Sequence, residues 1–163
     1  MPRRWVVNAS PLITLAKIGR ASLLLELCQE MVIPAGVAHE INSVADESDP
    51  ARVWVRSQGK GNIRDTELVR SVISDWGLGL GESEVLAWAN EHPGWEAILD
   101  DRVARDCAAS LGIKVRGTIG VILLAKKETK IESASLLLDQ IRQGGFRIDS
   151  RIMQEAKRLA GEA

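Results

Sequence analysis

Short apolar runs separated by helical segments constrain the fold of this chain more than any other feature of its sequence. Strands that are buried on both faces consist of unbroken apolar residues, and consecutive parallel strands need a crossover that is usually a helix. The pattern therefore predicts an α/β fold in which helices cover both faces of a central parallel sheet. The predicted strands are residues 5–7, 31–33, 97–99 and 113–115, with a shorter strand starting at Ile63.

The helices are predicted from apolar residues spaced three and four apart and from residues typical of helix ends. Ser10 is expected to cap the first helix, with Pro11 at its first position and Gly19 after its end. Ser133 and Asp149 are expected to cap the last two helices. The predicted helices are residues 11–18, 21–27, 37–44, 50–55, 68–73, 82–91, 102–111, 119–127, 134–141 and 150–160.

The length and charge of the chain are those of one globular domain. Its 163 residues predict a single domain, 1–163, in which residues 131–163 form a C-terminal helical extension. Hydrophobic residues make up 45% and charged residues 26%, which excludes a disordered or fibrous chain. The formal net charge of −1 excludes a large basic field that would hold nucleic acid nonspecifically, but a local basic patch stays compatible with it.

The sequence also carries an expectation about the compartment. Cys28 and Cys107 lie far apart with no CxxC motif, so free thiols in a reducing compartment are expected. No apolar run approaches the roughly 18 residues of a membrane helix, and the one after the basic start is too short for a signal peptide. We therefore predict a cytoplasmic protein with no membrane association.

Polar residues follow three of the predicted strands. Asn8 follows the first strand, Asp100 and Asp101 follow the strand at 97–99, and Thr118 follows the strand at 113–115. Ligands of parallel α/β sheets bind outside the carboxyl ends of the strands, so this edge is the expected functional site.

Two glutamates lie on the apolar stripes of their predicted helices. Glu82 precedes apolar residues by three, four and seven positions, and Glu40 has apolar residues three before and four after it. A carboxylate on the inner face of a helix is costly unless it is paired or binds a cation. Together with Asp101, these acids could bind a hard divalent cation such as Mg²⁺, which supports phosphodiester hydrolysis. Glu84, two positions after Glu82, is expected to face roughly the other side of the helix.

Each of these residues also has a structural explanation. Glu82 could stabilise the dipole of its helix, and Asp101 could cap the helix that follows it. Glu40 could be exposed or paired with a cation, and Asn8 could cap or turn the chain after its strand. Only the joint pattern favours a metal site over these alternatives.

Several segments, taken in their order along the chain, resemble the PIN domain superfamily. The C-terminal segments resemble an uncharacterised prokaryotic branch that is related to VapC-type toxins. The similarity covers about residues 5–161. The segments are VVNASPLI at 6–13, VIP at 32–34 with 37–40, GLGESE at 79–84, LDDR at 99–102, GTIGVILLAK at 117–126, LLL at 136–138 and GFRI at 145–148.

The resemblance implies an α/β/α sandwich and an acidic pocket for Mg²⁺ or Mn²⁺. It implies an endoribonuclease that cuts single-stranded RNA, acts as the toxin of a toxin–antitoxin pair, and forms a homodimer held by a small antitoxin protein. By position, Glu40, Glu82 and Asp101 match the second, third and fourth acids of the family and would bind the metal, with Asp100 beside them. Asn8 stands where these nucleases usually place their first metal-binding Asp.

Residues around these acids are expected to contact the substrate. Ser10 matches the small hydroxyl residue two positions after the first acid, and Thr118 and Arg102 are expected to bind RNA with it. Because Asn8 is neutral, an alternative is a catalytically attenuated PIN-like protein that binds RNA or regulates. A flavodoxin-like receiver also has an acidic pair after a strand, but after its first strand, where Asn8 lies here.

Overall fold

Five parallel strands form one central sheet. The computed structural model describes residues 2–66 and 69–163. The strands are β1 (Arg4–Val7), β2 (Glu30–Pro34), β3 (Ile63–Arg64), β4 (Glu96–Ile98) and β5 (Val115–Arg116). Their order across the sheet is β3-β2-β1-β4-β5, and every neighbouring pair is parallel. The predicted parallel sheet is therefore confirmed.

The central position of β1 in the sheet explains why Trp5, Val6 and Val7 are an unbroken apolar run. Trp5, Val6 and Val7 are all fully buried, because β2 and β4 flank the strand and helices cover both faces. A strand in this environment has no solvent-facing side, so the alternation of polar and apolar residues disappears.

Ten helices in the described residues complete an α/β/α sandwich. The segment predicted to be helical at 68–73 is helical only at Ser71–Ser74, and Leu68 lies outside the described residues. The helices are α1 (Ala9–Lys17), α2 (Leu23–Glu26), α3 (Ala35–Asn42), α4 (Pro50–Ser57), α5 (Ser71–Ser74), α6 (Leu80–Glu91), α7 (Arg102–Ser110), α8 (Thr118–Lys127), α9 (Ala134–Gln143) and α10 (Ser150–Leu159).

Several predicted boundaries differ from those of the structure, and hydrogen bonds explain two of the differences. Asn8, not Ser10, is the N-cap of α1, because its backbone N–H donates to Ile98 O at 2.9 Å and keeps it in an extended conformation beside β4. The strand predicted at 113–115 begins two residues later, because Ile113 N–H donates to Ala108 O at 2.9 Å and still belongs to the turn that closes α7.

The C-terminal helices are capped as predicted and pack into the common core. Ser133 accepts a hydrogen bond from Leu136 N–H, and Asp149 accepts one from Ile152 N–H. One contiguous cluster of buried apolar residues runs from Trp5 in β1 to residues of α9 and α10. Both cysteines are free thiols, as expected. Of the helices in the described ranges, none has the length and apolar character needed to cross a bilayer.

Candidate active site at the carboxyl edge of the sheet

The parallel strands bring polar residues to one edge of the sheet. Asn8 follows β1, Asp100 and Asp101 lie just beyond β4, and Thr118 begins α8 after β5. Since the strands β4, β1 and β5 are neighbours or next neighbours and run in one direction, these residues leave the sheet at the same edge. The predicted location of the site is therefore where the topology gathers polar side chains.

Two crossover helices add glutamates to this edge. A helix that connects parallel strands runs back across the sheet, so its first turn lies at the carboxyl edge. Glu82 lies in the first turn of α6, and Glu40 lies in α3, which packs against α6. A Cβ atom placed on Gly81 would be 3.7 Å from Glu40 Oε1, so the Glu40 carboxylate lies against the first turn of α6.

Glu82 is the electrostatic centre of this group of acids. Partial burial raises the pKa of its carboxyl group above the usual value, and the neighbouring Asp101 and then Glu40 raise the pKa further. A hydrogen bond with the backbone of Gly79 acts in the opposite direction. Glu82 Oε2 is buried and has no hydrogen-bond partner among the described residues. Asp101 and Glu40, which are distant from Glu82 in the sequence, therefore lie near its half-buried carboxylate.

The structural and functional explanations of Glu82 and Asp101 apply together. Glu82 reaches back to Gly79, the N-cap of α6, and so also stabilises the start of its helix. Asp101 is the N-cap of α7, and its Oδ2 accepts a hydrogen bond from Ala104 N–H at 2.9 Å. This capping bond fixes the Asp101 side chain at the position from which it acts on Glu82.

The burial expected for Glu40 is wrong, because its side chain is exposed. The apolar stripe that predicted burial joined Val37 to Val44, but α3 ends at Asn42 and Val44 is itself 39% exposed. The Glu40 carboxylate therefore lies on the solvent-exposed side of the site. Its effect on Glu82 is through charge.

Asp100 forms a separate, fully bonded unit beside these acids. Its Oδ1 accepts a hydrogen bond from Thr118 N–H at 2.8 Å, and its Oδ2 accepts one from Thr118 Oγ1 at 2.6 Å. Ser10 Oγ also donates to Asp100 Oδ2 at 3.3 Å. A Cβ atom on Gly117 would lie 3.0 Å from Asp100 Oδ1, so the close approach of α8 depends on a glycine there. A metal ion would have to compete with these hydrogen bonds for the Asp100 carboxylate.

The residues expected to contact substrate have different exposures. Thr118 is fully buried and its hydroxyl already donates to Asp100, so it positions Asp100 and does not face solvent. Ser10 is half-buried, and Arg102 is exposed on the first turn of α7. Arg105 approaches the same unit, since its Nη1 would lie 3.4 Å from a Cβ atom on Gly117.

Asn8 is buried at the centre of the carboxyl edge. It is 5% exposed, and its side chain makes no capping hydrogen bond to α1 although it occupies the N-cap position. Capping by the Asn8 side chain, one of its structural explanations, is therefore excluded. An amide oxygen can bind a hard cation, but it adds no negative charge to the site.

Sequence reasoning missed the role of Glu84. This residue is only 8% exposed, and its Oε1 accepts a hydrogen bond from Gly36 N–H at 3.0 Å, at the start of α3. The side of α6 opposite Glu82 is also inside the protein, because most residues of α6 are buried. The apolar run at 85–89 was the available indication, since a helix that is apolar all round is buried all round.

The donor set suits a hard divalent cation, although the acids are not closed around one point. Among residues 2–66 and 69–163, no three His, Cys, Asp or Glu side chains are already arranged as a metal-binding group. The partnerless Glu82 Oε2, next to two further acids, nevertheless has the chemistry of a Mg²⁺ or Mn²⁺ ligand. Glu40, Glu82 and Asp101 are the residues that would hold such an ion.

Comparison with known proteins identifies the family. No curated protein and no solved structure matches the chain. A family model described as a PIN domain matches residues 4–162, a range that runs from β1 to the residues after α10 and includes every site residue described above. With its parallel sheet and the acids at the carboxyl edge, this chain belongs to the PIN domain family.

Proposed function

We propose that this protein is a metal-dependent endoribonuclease that hydrolyses phosphodiester bonds of single-stranded RNA. One observation carries the proposal: the half-buried Glu82 carboxylate lies beside Asp101 and Glu40 at the carboxyl edge, with one oxygen left without a partner. A partly buried acid whose pKa is raised by burial and by neighbouring carboxylates is typical of a functional site. The family supports a nuclease-like fold, and the resemblance to ribonucleases supports RNA as the substrate.

The roles of the site residues follow from their positions. A bound Mg²⁺ or Mn²⁺ would stabilise the negative charge of the phosphate and activate water. Glu82 and Asp101 are held in place by their helix ends, so they provide fixed carboxylates, while the exposed Glu40 can adjust. Asn8 and Ser10 line the centre of the edge, where the amide and hydroxyl can orient the scissile phosphate.

The direct test is cleavage of a single-stranded RNA in the presence of Mn²⁺. We expect the wild-type protein to cleave it and Glu82→Gln to lower the rate by at least about a hundredfold, since a cation ligand with charge is lost. Asp106→Asn is the matched control, because it makes the same acid-to-amide change at an exposed residue of α7. Equal rates for wild type and Glu82→Gln would contradict the proposal.

A second candidate function is that of an attenuated, RNA-binding or regulatory PIN-like protein. The neutral Asn8 at the position of the family's first acid favours it, because the site has one negative charge fewer. This candidate predicts that RNA binds without being cleaved, with Mg²⁺ or with Mn²⁺. The same assay, read by both binding and cleavage, therefore separates the two functions.

The resemblance further supports a toxin in the cytoplasm that forms a homodimer and is held by a small antitoxin protein. If this holds, induced expression of the wild-type chain arrests growth, while the Glu82→Gln chain does not. Normal growth with abundant, active wild-type protein would contradict the toxin role. The mass of the purified protein in solution tests the homodimer.

A further inference from the structure

We infer that the cavity between α1 and the loop after α9 binds a nucleotide of single-stranded RNA that flanks the scissile phosphate. This assignment rests on the proposed function, because it extends the same site. The cavity has a volume of about 340 Å³, which is the size of a small-molecule site. Ser10, whose hydroxyl donates to Asp100, lines it, so one end of the cavity lies beside the carboxyl edge of the sheet.

One polar stripe of α1 leads from the acids into the cavity. Ser10, Thr14 and Lys17 all line it and are spaced four and three residues apart, which places them on one face of the helix. The stripe is about 10 Å long, from the rise of 1.5 Å per residue. Hydroxyls followed by a cation match the sugar and phosphate of a nucleotide.

The charges around the acidic group explain why a flanking subsite is needed. Glu40, Glu82 and Asp101 repel an RNA backbone, so cations outside this group have to hold the neighbouring phosphates. Lys17 and Arg147 line the cavity and supply that charge. Lys17 Nζ donates to Gly144 O at 2.9 Å, and within the described residues Arg147 takes part in no ion pair.

In another basic cavity, beside α8 and α10, three of the four lining cations are in ion pairs, and within the described residues Lys127 is in none. Arg3 is paired with Glu128, Arg116 with Glu96 at 3.3 Å, and Lys126 with Glu162 at 3.6 Å. Its cations are therefore largely neutralised by the protein itself. The cavity along α1 combines two cations that form no ion pair with any described residue, Lys17 and Arg147, with an end that lies beside Asp100.

An aromatic ring completes the nucleotide-binding character of the cavity. Phe146, the only phenylalanine of the chain, lines it next to Arg147 and is half-buried. Proteins that bind single strands combine a basic groove with an aromatic side chain on which a base stacks. Gly145, with φ of +107°, makes the turn that presents these two residues.

The test measures binding of a fluorescent single-stranded RNA decamer to the cleavage-deficient Glu82→Gln protein over a range of salt concentrations. We expect Arg147→Ala to reduce the slope of log K against log salt by about 0.7, the value for one phosphate contact on a single strand. We expect Phe146→Leu to weaken binding by at least about fivefold at an unchanged slope, because it keeps the apolar volume but removes the stacking face.

Arg151→Ala is the matched control, since it removes the same charge from an exposed residue of α10 that does not line the cavity. Binding of the Arg147 and Phe146 variants with the affinity and slope of the parent would overturn the inference. Equal binding of the same RNA as a duplex would also overturn it, because a paired base cannot stack on Phe146. Circular dichroism of each variant verifies that it is folded.

Hydrolysis of bis(p-nitrophenyl) phosphate with Mn²⁺ separates this inference from the proposed function. This small phosphodiester reaches the acids but does not fill the cavity, so Arg147→Ala and Phe146→Leu should hydrolyse it at the wild-type rate. If the wild type hydrolyses neither substrate while the two variants lose RNA binding, the nuclease proposal fails and the subsite stands. If the wild type and the Arg147→Ala and Phe146→Leu variants all hydrolyse this substrate, and both variants bind RNA as the parent does, the subsite inference fails and the nuclease proposal stands.

Discussion

At the scale of single residues, the site depends on an unfavourable accumulation of negative charge. Burial, Asp101 and Glu40 raise the pKa of Glu82, so the folded protein binds a proton at this carboxyl more tightly than the unfolded chain does. An acid of this kind stabilises the fold most at low pH, and that contribution is lost as the pH rises through the folded-state pKa. Once it is ionised, Glu82 is therefore a source of instability that a bound cation would relieve.

Glu82→Gln should consequently raise the melting temperature of the metal-free protein at pH 7, because it removes a charge that Asp101 and Glu40 oppose. Addition of Mn²⁺ should stabilise the wild type and leave the melting temperature of the variant almost unchanged. Thermal unfolding in EDTA and in Mn²⁺ measures both effects, with Asp106→Asn as the control. A lower melting temperature of Glu82→Gln in EDTA would show that the acids do not oppose one another.

Asn8→Asp tests whether the missing charge limits activity. A carboxylate at this buried position of the carboxyl edge should increase the affinity for Mn²⁺ by roughly tenfold, the size of effect typical of residues that tune a metal site. It should also lower the melting temperature in EDTA, since a buried charge without a partner is costly. Calorimetric titration with Mn²⁺ measures the affinity, and an unaltered affinity would place Asn8 outside the metal site.

At the scale of elements, the contact between α3 and α6 aligns two of the three acids. Glu84 of α6 binds the N-terminal turn of α3, and Glu82 and Glu40 lie on the same two helices. A carboxylate at a helix N-terminus is stabilised by the helix dipole. The buried Glu84 thus holds in register the elements that carry Glu82 and Glu40.

Gly36→Ala should disturb this contact, because a Cβ atom there would lie 2.5 Å from Glu84 Oε2. We expect a loss of about 1–3 kcal/mol in the free energy of unfolding, the usual cost of overpacking. Gly61→Ala is the matched control, since a Cβ atom at Gly61 meets no atom within 4 Å. Urea denaturation compares the two, and equal stabilities would mean that Glu84 moves away at no cost.

The sequence predicts most elements but not all of their limits. Caps such as Ser133 and Asp149 act through local hydrogen bonds, so they can be identified from the chain alone. The start of α1 could not be identified in this way, because it depends on the hydrogen bond from Asn8 N–H to Ile98 O, and Ile98 is ninety residues away. The exposure of Glu40 was not predicted, because the expected apolar stripe continued to Val44, whereas α3 ends at Asn42.

At the scale of the whole molecule, the C-terminal helices belong to the same core as the sheet. The predicted helical extension is therefore packed on the rest of the protein and is not an appended unit. The apolar residues that this region contributes to the core are Ile131, Ala134, Leu137, Leu138, Ile141, Met153 and Ala156.

Leu138→Ala should destabilise the entire protein by about 2–5 kcal/mol, because it leaves a cavity at a fully buried position of α9. Leu136→Ala, on the same helix at a position that is 54% exposed, should change stability by no more than about 0.5 kcal/mol. Tryptophan fluorescence and circular dichroism should shift together in urea for Leu138→Ala. Separate transitions for the two probes would show that the C-terminal helices unfold independently.

The location of the site follows from topology, and its chemistry follows from contacts. Residues after parallel strands must meet at one edge, so Asn8 and the two aspartates could be placed from the sequence. Asp100 and Asp101 have different roles: Asp100 is hydrogen-bonded to Thr118, and Asp101 acts on Glu82. This difference depends on contacts between distant elements. The local sequence around the two aspartates therefore does not predict which of them contacts Glu82.

The central claim is that Glu40, Glu82 and Asp101 together bind a divalent cation. The most direct measurement is an anomalous difference map, recorded at the manganese absorption edge, from a crystal grown with Mn²⁺. We predict one strong peak within coordination distance of all three carboxylates, and its loss in Glu82→Gln. A map with no peak at the carboxyl edge, or with these carboxylates turned apart and paired with separate cationic side chains, would contradict the claim.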